Sequence, residues 1–550
     1  MSQRSSTARR PPPRRPSNAS AATRARNEKP LQLLLTDPAD PRLARPAWRA
    51  AGPSTAVRLR ATVLALASTV GVVWYFTWLL QSDRVGNPVL FGILLAAECF
   101  NVVQALGFWW TCALPRRRRP APRRPRAGRR IAVDVFIPTY NEPVEVVEAT
   151  VAAASQLRGA AVRVALLDDG NREAMERLAA RYDARYIRRT LHQGAKAGNI
   201  NHALGRTNAP FVLVLDCDHV PDPAFLERTL PHFTDSRVAF VQTPQYYANA
   251  TNGQLAEAAW RQQALFFGPI ARGKDDHDSM FCCGTGVVFR RTALAEVDGF
   301  PEGSLTEDFE LSVLIHERGW HSRYVPEVLA RGLGPEDLAS YVGQQHRWAR
   351  GCLTAIPRVV RSRLPLRQRL QYLLSASYFL SGWTVLVYLM LPVLRIAFGV
   401  QPIASTAADD FLSHFVPYFG LAIATVAAVG SGTYTFRAYS LATSTYWVHV
   451  HATVKALLRR PGRFVVTPKQ GGSGRQFRPA APTLATIALL TTAGLWGLAQ
   501  GRDPATLNNV AFVAVHLSVL GHGIWPALAP QIARASTTAD RTRSNADAAA

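Results

Sequence analysis

The chain has 550 residues, which is more than one compact hydrophobic core accommodates, so we expect two or three structural regions. Apolar residues make up 48% of it, yet the formal net charge is +25, an unusual combination for a soluble protein. Residues 1–60 hold 13 Arg and Lys, and residues 115–130 add nine Arg. These runs lack the interleaved aromatic residues that stack on bases, which argues against a nucleic-acid-binding protein.

Six apolar stretches are about 20 residues long, the length needed to cross a bilayer as a helix. Two of them precede a long central region and four follow it. The predicted spans are 61–81, 89–114, 373–400, 411–436, 482–498 and 509–532. The predicted organisation is a disordered basic tail (1–59), two spans (60–114), a central domain (131–338), interface helices (339–370), four spans (371–532) and a disordered tail (533–550).

The distribution of basic residues predicts the orientation in the membrane. Three connections carry at most one basic residue each: 82–87, 401–410 and 501–507. The N-terminal tail, the 116–130 run, the central region and the 455–478 loop carry nearly all the others. Because basic connections stay in the cytosol, we expect both termini and the central domain on the cytosolic side of the cell membrane. The basic runs could also contact anionic lipid headgroups.

The central region reads as an α/β domain. Short aliphatic runs at 133–138, 162–169 and 211–216 are candidates for buried strands, and helical patterns such as 143–156 and 171–181 separate them. This alternation predicts a largely parallel sheet whose ligands bind at the carboxyl ends of the strands.

Polar residues follow all three candidate strands, at 139–143, 168–170 and 216–218. A single acidic strand end is commonly a turn or a helix cap, but three along one edge indicate a binding site. Asp216 and Asp218 can turn towards one point, where carboxylate oxygens suit Mg²⁺ or Mn²⁺. A solvated turn is the alternative reading of this pair.

Three further motifs have both a structural and a chemical reading. Lys196 stands in a small-residue turn that opens a predicted helix, so it is either a diphosphate ligand or an exposed surface lysine. Thr306 either caps a helix or introduces Asp308 as a general base. In a predicted amphipathic helix at about 336–356, Arg347 and Trp348 are either membrane-interface anchors or ligands of a diphosphate and a sugar.

With these residues in order, residues 60–530 resemble the processive, inverting family 2 glycosyltransferases that are integrated in membranes, and within them the bacterial cellulose-synthase type. The signature is D-D-G at 168–170, D-x-D at 216–218, T-E-D at 306–308 and Q-x-x-R-W at 344–348. Residues 281–285 (FCCGT) are similar to the family's F-F-C-G-S loop, and residues 464–469 fit its F-x-V-T-x-K gating loop within 460–478.

The resemblance implies an α/β nucleotide-sugar-binding domain of the GT-A type inserted between about six transmembrane helices. It implies an inverting, UDP-forming transfer of glucose from UDP-glucose to a β-1,4-linked glucan, with export through the enzyme's own channel. The residues it assigns fall into four groups. Nucleotide-sugar ligands are Thr139, Glu142, Asp168, Lys196, Asp216, Arg347, Thr467 and Lys469; the base is Asp308; the ligand of Mg²⁺ or Mn²⁺ is Asp218; acceptor and channel residues are Cys283, Gln344 and Trp348.

Several alternatives remain open at this stage. The same scaffold could make another β-polysaccharide, such as a β-1,3 or mixed-linkage glucan, mannan, chitin or hyaluronan. A non-processive transferase acting on a lipid acceptor and a catalytically inactive membrane scaffold are further candidates. The sequence departs from the family at FCCGT, and we expect no PilZ-type receptor for cyclic di-GMP in this chain. Accessory cell-envelope proteins or a homo-oligomer are possible partners.

Overall fold

The computed structural model describes residues 55–113, 130–404, 406–430, 432–459, 475–501 and 504–529. Nearly all of the predicted basic tail, most of the Arg-rich run and the predicted C-terminal tail lie outside them. The gating motif, with Thr467 and Lys469, lies outside them as well.

The described residues contain ten strands, which form two sheets. Their bounds are β1 Ala132–Thr139, β2 Ala161–Asp168, β3 Arg185–Arg188, β4 Phe211–Val214, β5 Val220–Pro221, β6 Val238–Gln242, β7 Tyr246–Tyr247, β8 Val287–Arg290, β9 His321–Tyr324 and β10 Ala330–Gly332. The main sheet has the strand order β3-β2-β1-β4-β8-β6-β9, and the small one has the order β5-β10-β7.

The helices of the N-terminal and central regions come first in the chain. They are α1 Thr55–Leu79 and α2 Pro88–Cys112 before the domain, and α3 Val144–Ala154, α4 Glu173–Arg181, α5 Ala195–Leu204, α6 Phe225–Thr229, α7 Gln254–Leu265, α8 Ala271–Asp276, α9 Arg291–Ala295 and α10 Glu307–Glu317 within it. The C-terminal helices are α11 Leu338–Arg361, α12 Leu366–Ser377, α13 Ser381–Phe398, α14 Ala408–Gly430, α15 Phe436–Ser444, α16 Tyr446–Leu457, α17 Phe477–Gln500 and α18 Pro504–Leu528.

The main sheet is buried on both faces, which explains its uninterrupted aliphatic strands. Along β1, Val135 packs with residues of α3 and α4 on one face. Its neighbour Phe136 packs with residues of α5 and β8 on the other. Because side chains alternate along a strand, a strand covered on both sides must be apolar at consecutive positions. The domain therefore has helices on both sides of one sheet, as predicted.

The main sheet is largely parallel, as the pattern of strands and helices predicted, but one reversed strand makes it mixed. β1, β2, β3 and β4 are parallel, whereas β8 runs antiparallel to both β4 and β6. The chain reaches β8 from the 277–286 loop, which lies at the edge where β1 and β4 end. It therefore enters β8 from the opposite end, a reversal that local pattern does not reveal.

Six helices among the described residues are long and apolar enough to cross a membrane. Their ranges are Ala56–Leu79, Pro88–Cys112, Leu366–Phe398, Asp409–Gly430, Phe477–Gln500 and Pro504–Leu528. All six predicted spans have a counterpart. Two of the connections with at most one basic residue, 82–87 and 401–410, also lie side by side. Gly86 N donates to Pro402 O, and Asn87 N donates to Gln401 O. This contact places the two connections on the same side of the helix bundle.

Between the fourth and fifth spans, α15 and α16 return to the central domain. Arg437 on α15 forms an ion pair with Glu257 on α7 (2.9 Å), and the rings of His451 on α16 and His346 on α11 lie 5.1 Å apart. The helices α15 and α16 thus connect the sheet domain to the spans. The helix α11 confirms the predicted amphipathic segment at about 336–356 and lies at this junction.

Candidate active site

A cavity of about 390 Å³ lies at the carboxyl edge of β1 and β4, under the helix α11. Its walls come from the ends of these strands, the start of α5, the 283–284 loop, the start of α10 and the middle of α11. The predicted site residues that line it are Thr139, Glu142, Lys196, Asp216, Asp218, Cys283, Asp308, Gln344, Arg347 and Trp348. Residues that are up to 209 positions apart in the sequence (139 to 348) therefore meet in one place.

Asp168 lies beneath the cavity rather than in its wall, and its carboxylate is already fully hydrogen-bonded. One oxygen accepts from Gly170 N (3.0 Å) and Arg172 Nε (3.3 Å); the other accepts from Arg172 N (2.6 Å) and Tyr186 Oη (3.0 Å). The residue is fully buried. In this structure Asp168 shapes the turn after β2, and its neighbour Asp169 faces the cavity instead.

Thr139 and Glu142 form the rim of the cavity after β1. The Thr139 hydroxyl donates to a Glu142 carboxylate oxygen (2.8 Å), which also accepts from Tyr140 N (2.8 Å). Arg172 donates to the Thr139 hydroxyl (2.8 Å) and to the Glu142 carbonyl (2.6 Å). The rim is thus cross-linked to the turn after β2, and the half-exposed Tyr140 ring stands beside it as a flat apolar surface.

Lys196 is the second residue of α5 and points at the end of β4. Its ammonium donates to Asp216 Oδ1 (2.5 Å) and to Gly284 O (2.7 Å). Burial alone would lower the pKa of Lys196, but the nearby carboxylates of Asp216 and Glu307 outweigh it, so the net pKa is raised. The lysine is therefore charged at neutral pH, beside the free N–H groups of a helix N-terminus, an arrangement that binds anions.

Asp216, Asp218 and His219 form a possible metal site at the end of β4. One ligand atom from each residue lies within 4.8 Å of the others. The His219 ring is held where the backbone passes closely, because an ideal Cβ on Gly332 would lie only 2.3 Å from it. His219 Nδ1 lies 3.2 Å from Asp218 Oδ1, so this ring nitrogen faces the acidic pair. An imidazole nitrogen beside two carboxylates fits a divalent cation, so the chemistry of these three side chains suits a metal site.

Acidic side chains dominate the rest of the cavity wall. Glu142, Asp169, Asp216, Asp218, Glu307 and Asp308 face Lys196 and Arg347. The pKa of Asp169 is raised by burial but lowered more strongly by Arg189 and His192, so its net pKa is lowered. A nucleoside diphosphate entering this cavity meets repulsion unless a cation accompanies it, which is a second argument for a metal.

Asp308 begins the first turn of α10 and faces the cavity beside Gly284. An ideal Cβ on Gly284 would lie 3.2 Å from Asp308 Oδ2, so glycine leaves the carboxylate accessible. Burial, followed by the charge of the adjacent Glu307, raises the pKa of Asp308 to about 7. A carboxylate with a pKa near neutrality has the basicity that a general base requires.

The FCCGT segment forms part of the cavity wall through Cys283 and Gly284. Cys283 N donates to Gln242 Oε1 (2.8 Å) and Cys283 O accepts from Gln245 Nε2 (2.6 Å), so its backbone is fixed. Cys282 is buried against the start of α10, where its thiol donates to Asp308 O (3.0 Å). Thr285 supplies a hydroxyl that accepts from Asp216 N (2.8 Å), as the serine of F-F-C-G-S could.

Helix α11 closes the cavity with Gln344, Arg347 and Trp348. Gln344 and Trp348 are four positions apart and so lie on the same helix face, which is the face turned to the cavity. The helix approaches α10 closely at Gly351, where an ideal Cβ would lie 2.3 Å from Thr306. This close contact sets the distance between Asp308 and the helix that carries Trp348.

Sequence reasoning missed several residues of the wall. His219 directly follows D-x-D and Glu307 lies inside T-E-D, so one stood beside a recognised motif and the other within one. Asp169 was visible as the second residue of D-D-G, but its orientation depends on the turn that Asp168 organises. Gln245 gave no signal, because its position at the wall arises from the 3-stranded sheet.

Comparison with known proteins identifies the domain. Residues 130–351 match the family model "Glycosyltransferase like family 2", and residues 295–459 match the model "Cellulose synthase". A mannosyltransferase from Pyrobaculum calidifontis, solved in complex with GDP-mannose and Mn²⁺, has a similar fold. Its TM-score is 0.50 and its sequence identity is 17%, over 68% of this chain and 99% of the other.

Several curated relatives are also named as cellulose synthases. "Cellulose synthase 1" of Komagataeibacter xylinus is 33% identical over 74% of this chain and 27% of its own length. The "Cellulose synthase 1 catalytic subunit [UDP-forming]" of that species is 34% identical over 74% of this chain and 56% of its own length. A cellulose synthase catalytic subunit of Xanthomonas axonopodis pv. citri is 35% identical over 58% and 45%.

The alignments thus span between 27% and 56% of the length of these relatives. The matches to the two family models overlap and together cover residues 130–459, which include the whole cavity and its interface helices. The region at 130–459, with its GT-A-type sheet and the apolar helices that flank it, therefore belongs to the family 2 glycosyltransferases of the cellulose-synthase type.

Proposed function

We propose that this chain transfers glucose from UDP-glucose to the end of a growing β-glucan and moves the product through its own transmembrane helices. The observation that carries this proposal is the meeting of Lys196, Asp308 and Trp348 in one cavity beneath an interface helix. An anion-binding lysine, a base of suitable pKa and an indole surface are what a nucleotide-sugar donor and a sugar acceptor need.

In the proposed reaction, the acceptor hydroxyl lies between Asp308 and the anomeric carbon of the donor. Asp308 takes the hydroxyl proton while the hydroxyl oxygen forms a bond to that carbon, and the bond to the UDP oxygen breaks. A single displacement of this kind inverts an α-linked donor to a β-glycoside. Gln344 and Trp348 hold the terminal sugar so that its hydroxyl faces Asp308.

Lys196 and Arg347 neutralise the leaving diphosphate from two sides. Asp216, Asp218 and His219 would hold a divalent cation, which supplies further charge stabilisation to the leaving group when bound. We propose Mg²⁺ or Mn²⁺, and the imidazole nitrogen in the donor set favours Mn²⁺ of the two, because Mg²⁺ prefers oxygen ligands. Thr139, Glu142 and Asp168 organise the nucleoside side, with Asp168 acting through the turn that it shapes. Cys283 borders the acceptor.

We further propose that the domain and both termini lie in the cytosol, where nucleotide sugars are made. Thr467 and Lys469 of the predicted gating loop would then close over the donor from the connection between α16 and α17. The connections 82–87 and 401–410, which pair through backbone hydrogen bonds, would lie on the opposite side of the membrane.

The proposal is tested with the purified chain in lipid nanodiscs. UDP and GDP derivatives of glucose, mannose, N-acetylglucosamine and glucuronic acid are offered with Mn²⁺, and the nucleotide released is measured. We expect release of UDP from UDP-glucose above all others and a product with β-1,4 linkages by linkage analysis. Preferential turnover of another donor would reassign the substrate while retaining the glycosyltransferase. No turnover of any donor would contradict the proposal.

A further inference from the structure

Arg189 joins the two loops on the donor side of the cavity, although it belongs to none of the recognised motifs. It directly follows β3 and is only 6% exposed. Its guanidinium forms a bidentate pair with Asp169, with Nε to Oδ1 at 2.5 Å and Nη2 to Oδ2 at 2.6 Å. Paired, parallel bonds of this kind fix both position and orientation. Arg189 is thereby fastened to the end of β2.

The same guanidinium also holds the turn that precedes Lys196. Nη1 donates to Gln193 O (2.5 Å) and Nη2 donates to Ala195 O (2.8 Å). Between these carbonyls the backbone is left-handed at two successive residues, with φ of 72° at Gly194 and 45° at Ala195. A left-handed alanine is sterically unfavourable, so this turn needs an external support. Arg189 supplies it.

The next turn of α5 is adapted to the guanidinium. An ideal Cβ on Gly198 would lie 2.6 Å from Arg189 Nη1 and 2.2 Å from Gln193 O. The guanidinium and the turn therefore fit together only because residue 198 has no side chain. Arg188, one position earlier, is exposed and points away from this arrangement.

We infer that Arg189 is a positioning residue for the donor diphosphate: it holds the 193–195 turn so that Lys196 and the N-terminus of α5 face the end of β4. This inference rests on the proposed binding of a nucleotide sugar at Lys196. Arg189 itself is buried behind the turn and acts through it. The part of the ligand that depends on Arg189 is therefore the diphosphate rather than the nucleoside.

The experiment compares the affinities of UDP and of uridine, each with Mn²⁺, for wild type, Arg189→Lys and Arg189→Ala in detergent. We expect Arg189→Lys to weaken UDP binding about tenfold, because lysine cannot bridge two carbonyls and a carboxylate. Uridine binding should stay within about twofold. The KM for the donor should rise more than kcat falls. Arg188→Ala, the matched control one position earlier at the end of β3, should bind both ligands like wild type.

A double variant and thermal unfolding separate a loss of folding from a loss of UDP binding. Because Arg189→Ala leaves the buried Asp169 without its counter-charge, the double variant Arg189→Ala/Asp169→Asn is included, and thermal unfolding identifies the folded variants. Folded Arg189 variants that bind UDP like wild type would overturn the inference. Equal losses of UDP and uridine affinity would also overturn it, since Arg189 would then support the whole cleft. A wild-type chain that binds no UDP would instead refute the proposed function beneath it.

Discussion

Thr306 lies directly against Gly351, and this contact connects the helix whose first turn holds Asp308 to the helix that carries Trp348. An ideal Cβ on Gly351 would lie 2.3 Å from Thr306 Cγ2 and 2.5 Å from its Oγ1. The Thr306 hydroxyl is buried and has no hydrogen-bond partner within the described part of the chain. The threonine of T-E-D therefore acts as a spacer between the proposed base and the proposed acceptor platform.

Gly351→Ala should separate these two helices. Forcing a methyl group into a filled space costs about 1–3 kcal/mol and displaces its neighbours. Because a small displacement of an acceptor is expensive in rate, we expect kcat to fall about 10- to 100-fold while UDP affinity is unchanged. The control is Gly343→Ala on the same helix, where no described atom lies within 4 Å of the added methyl. Equal activities of the Gly351→Ala and Gly343→Ala variants would contradict the role of Thr306 as a spacer.

Asp308→Asn should abolish sugar transfer while preserving UDP binding. Asparagine keeps the shape of the side chain but cannot accept the acceptor proton, and loss of a general base costs about 10²–10⁴-fold in rate. Steady-state kinetics and UDP titration on the same preparation separate the two effects. Transfer at the wild-type rate would assign the base to another group.

The rate should also depend on pH through Asp308. Its pKa is raised to about 7 by burial and by the charge of Glu307, and only the ionised form can accept a proton. The log of kcat/KM should therefore rise with pH up to about 7 and then level off, and activity is lost as pH falls below that value. A Glu307→Gln variant removes the nearby negative charge, so its acidic limb should move to lower pH. An unshifted limb would show that the limb belongs to a different group.

Gly332→Ala should weaken metal binding without touching a carboxylate. The added methyl would lie 2.3 to 2.6 Å from the His219 ring, which must then rotate or shift. Displacing one ligand of three should lower Mn²⁺ affinity about 10- to 100-fold, measured by electron paramagnetic resonance of bound Mn²⁺. Gly205→Ala is the control, because its nearest described atoms are 3.8 Å away. Unchanged Mn²⁺ affinity in Gly332→Ala would exclude His219 as a ligand.

Within the predicted spans, Glu98 connects α2, which precedes the central domain, to α14, which follows it. Its carboxyl group is buried and accepts from Tyr418 Oη at 2.8 Å, and the stacked rings of Tyr75 and Tyr418 lie 4.6 Å apart. Tyr418→Phe removes the hydroxyl alone and should cost about 0.6–2 kcal/mol of unfolding free energy in a bilayer or detergent. Phe419→Leu, on the exposed face of the same helix, should change stability far less. A stability loss no larger than in Phe419→Leu would contradict this role.

The sequence predicted the strand ends and the spans well because both depend on local pattern. β1 extends by one residue at each end beyond its predicted 133–138, and each of the six spans has a matching helix. The antiparallel β8 was missed because strand direction depends on where the preceding loop lies in space. Likewise, Asp168 and Asp169 are adjacent in sequence, and only the hydrogen bonds of the folded turn determine which of the two faces the cavity.

The position of His219 illustrates the same limit. Its proximity to D-x-D was visible in the sequence, but a histidine after an acidic turn is ordinary. What distinguishes it is the close passage of Gly332, more than 100 residues later, and a ring nitrogen, Nδ1, that lies 3.2 Å from Asp218 Oδ1. Such a contact between distant segments has no local signature.

The central claim, that this single chain builds a polymer from UDP-glucose, is tested most directly by the size of its product at early times. Purified chain in nanodiscs is given UDP-glucose and Mn²⁺, and the Asp308→Asn variant is the control. Samples are taken while most of the donor remains. The product in each sample is sized and then digested with a β-1,4-glucanase. The account predicts long, glucanase-sensitive glucan from the first time points and none from the variant. Single glucose additions to a lipid, or no glucose transfer at all, would contradict it.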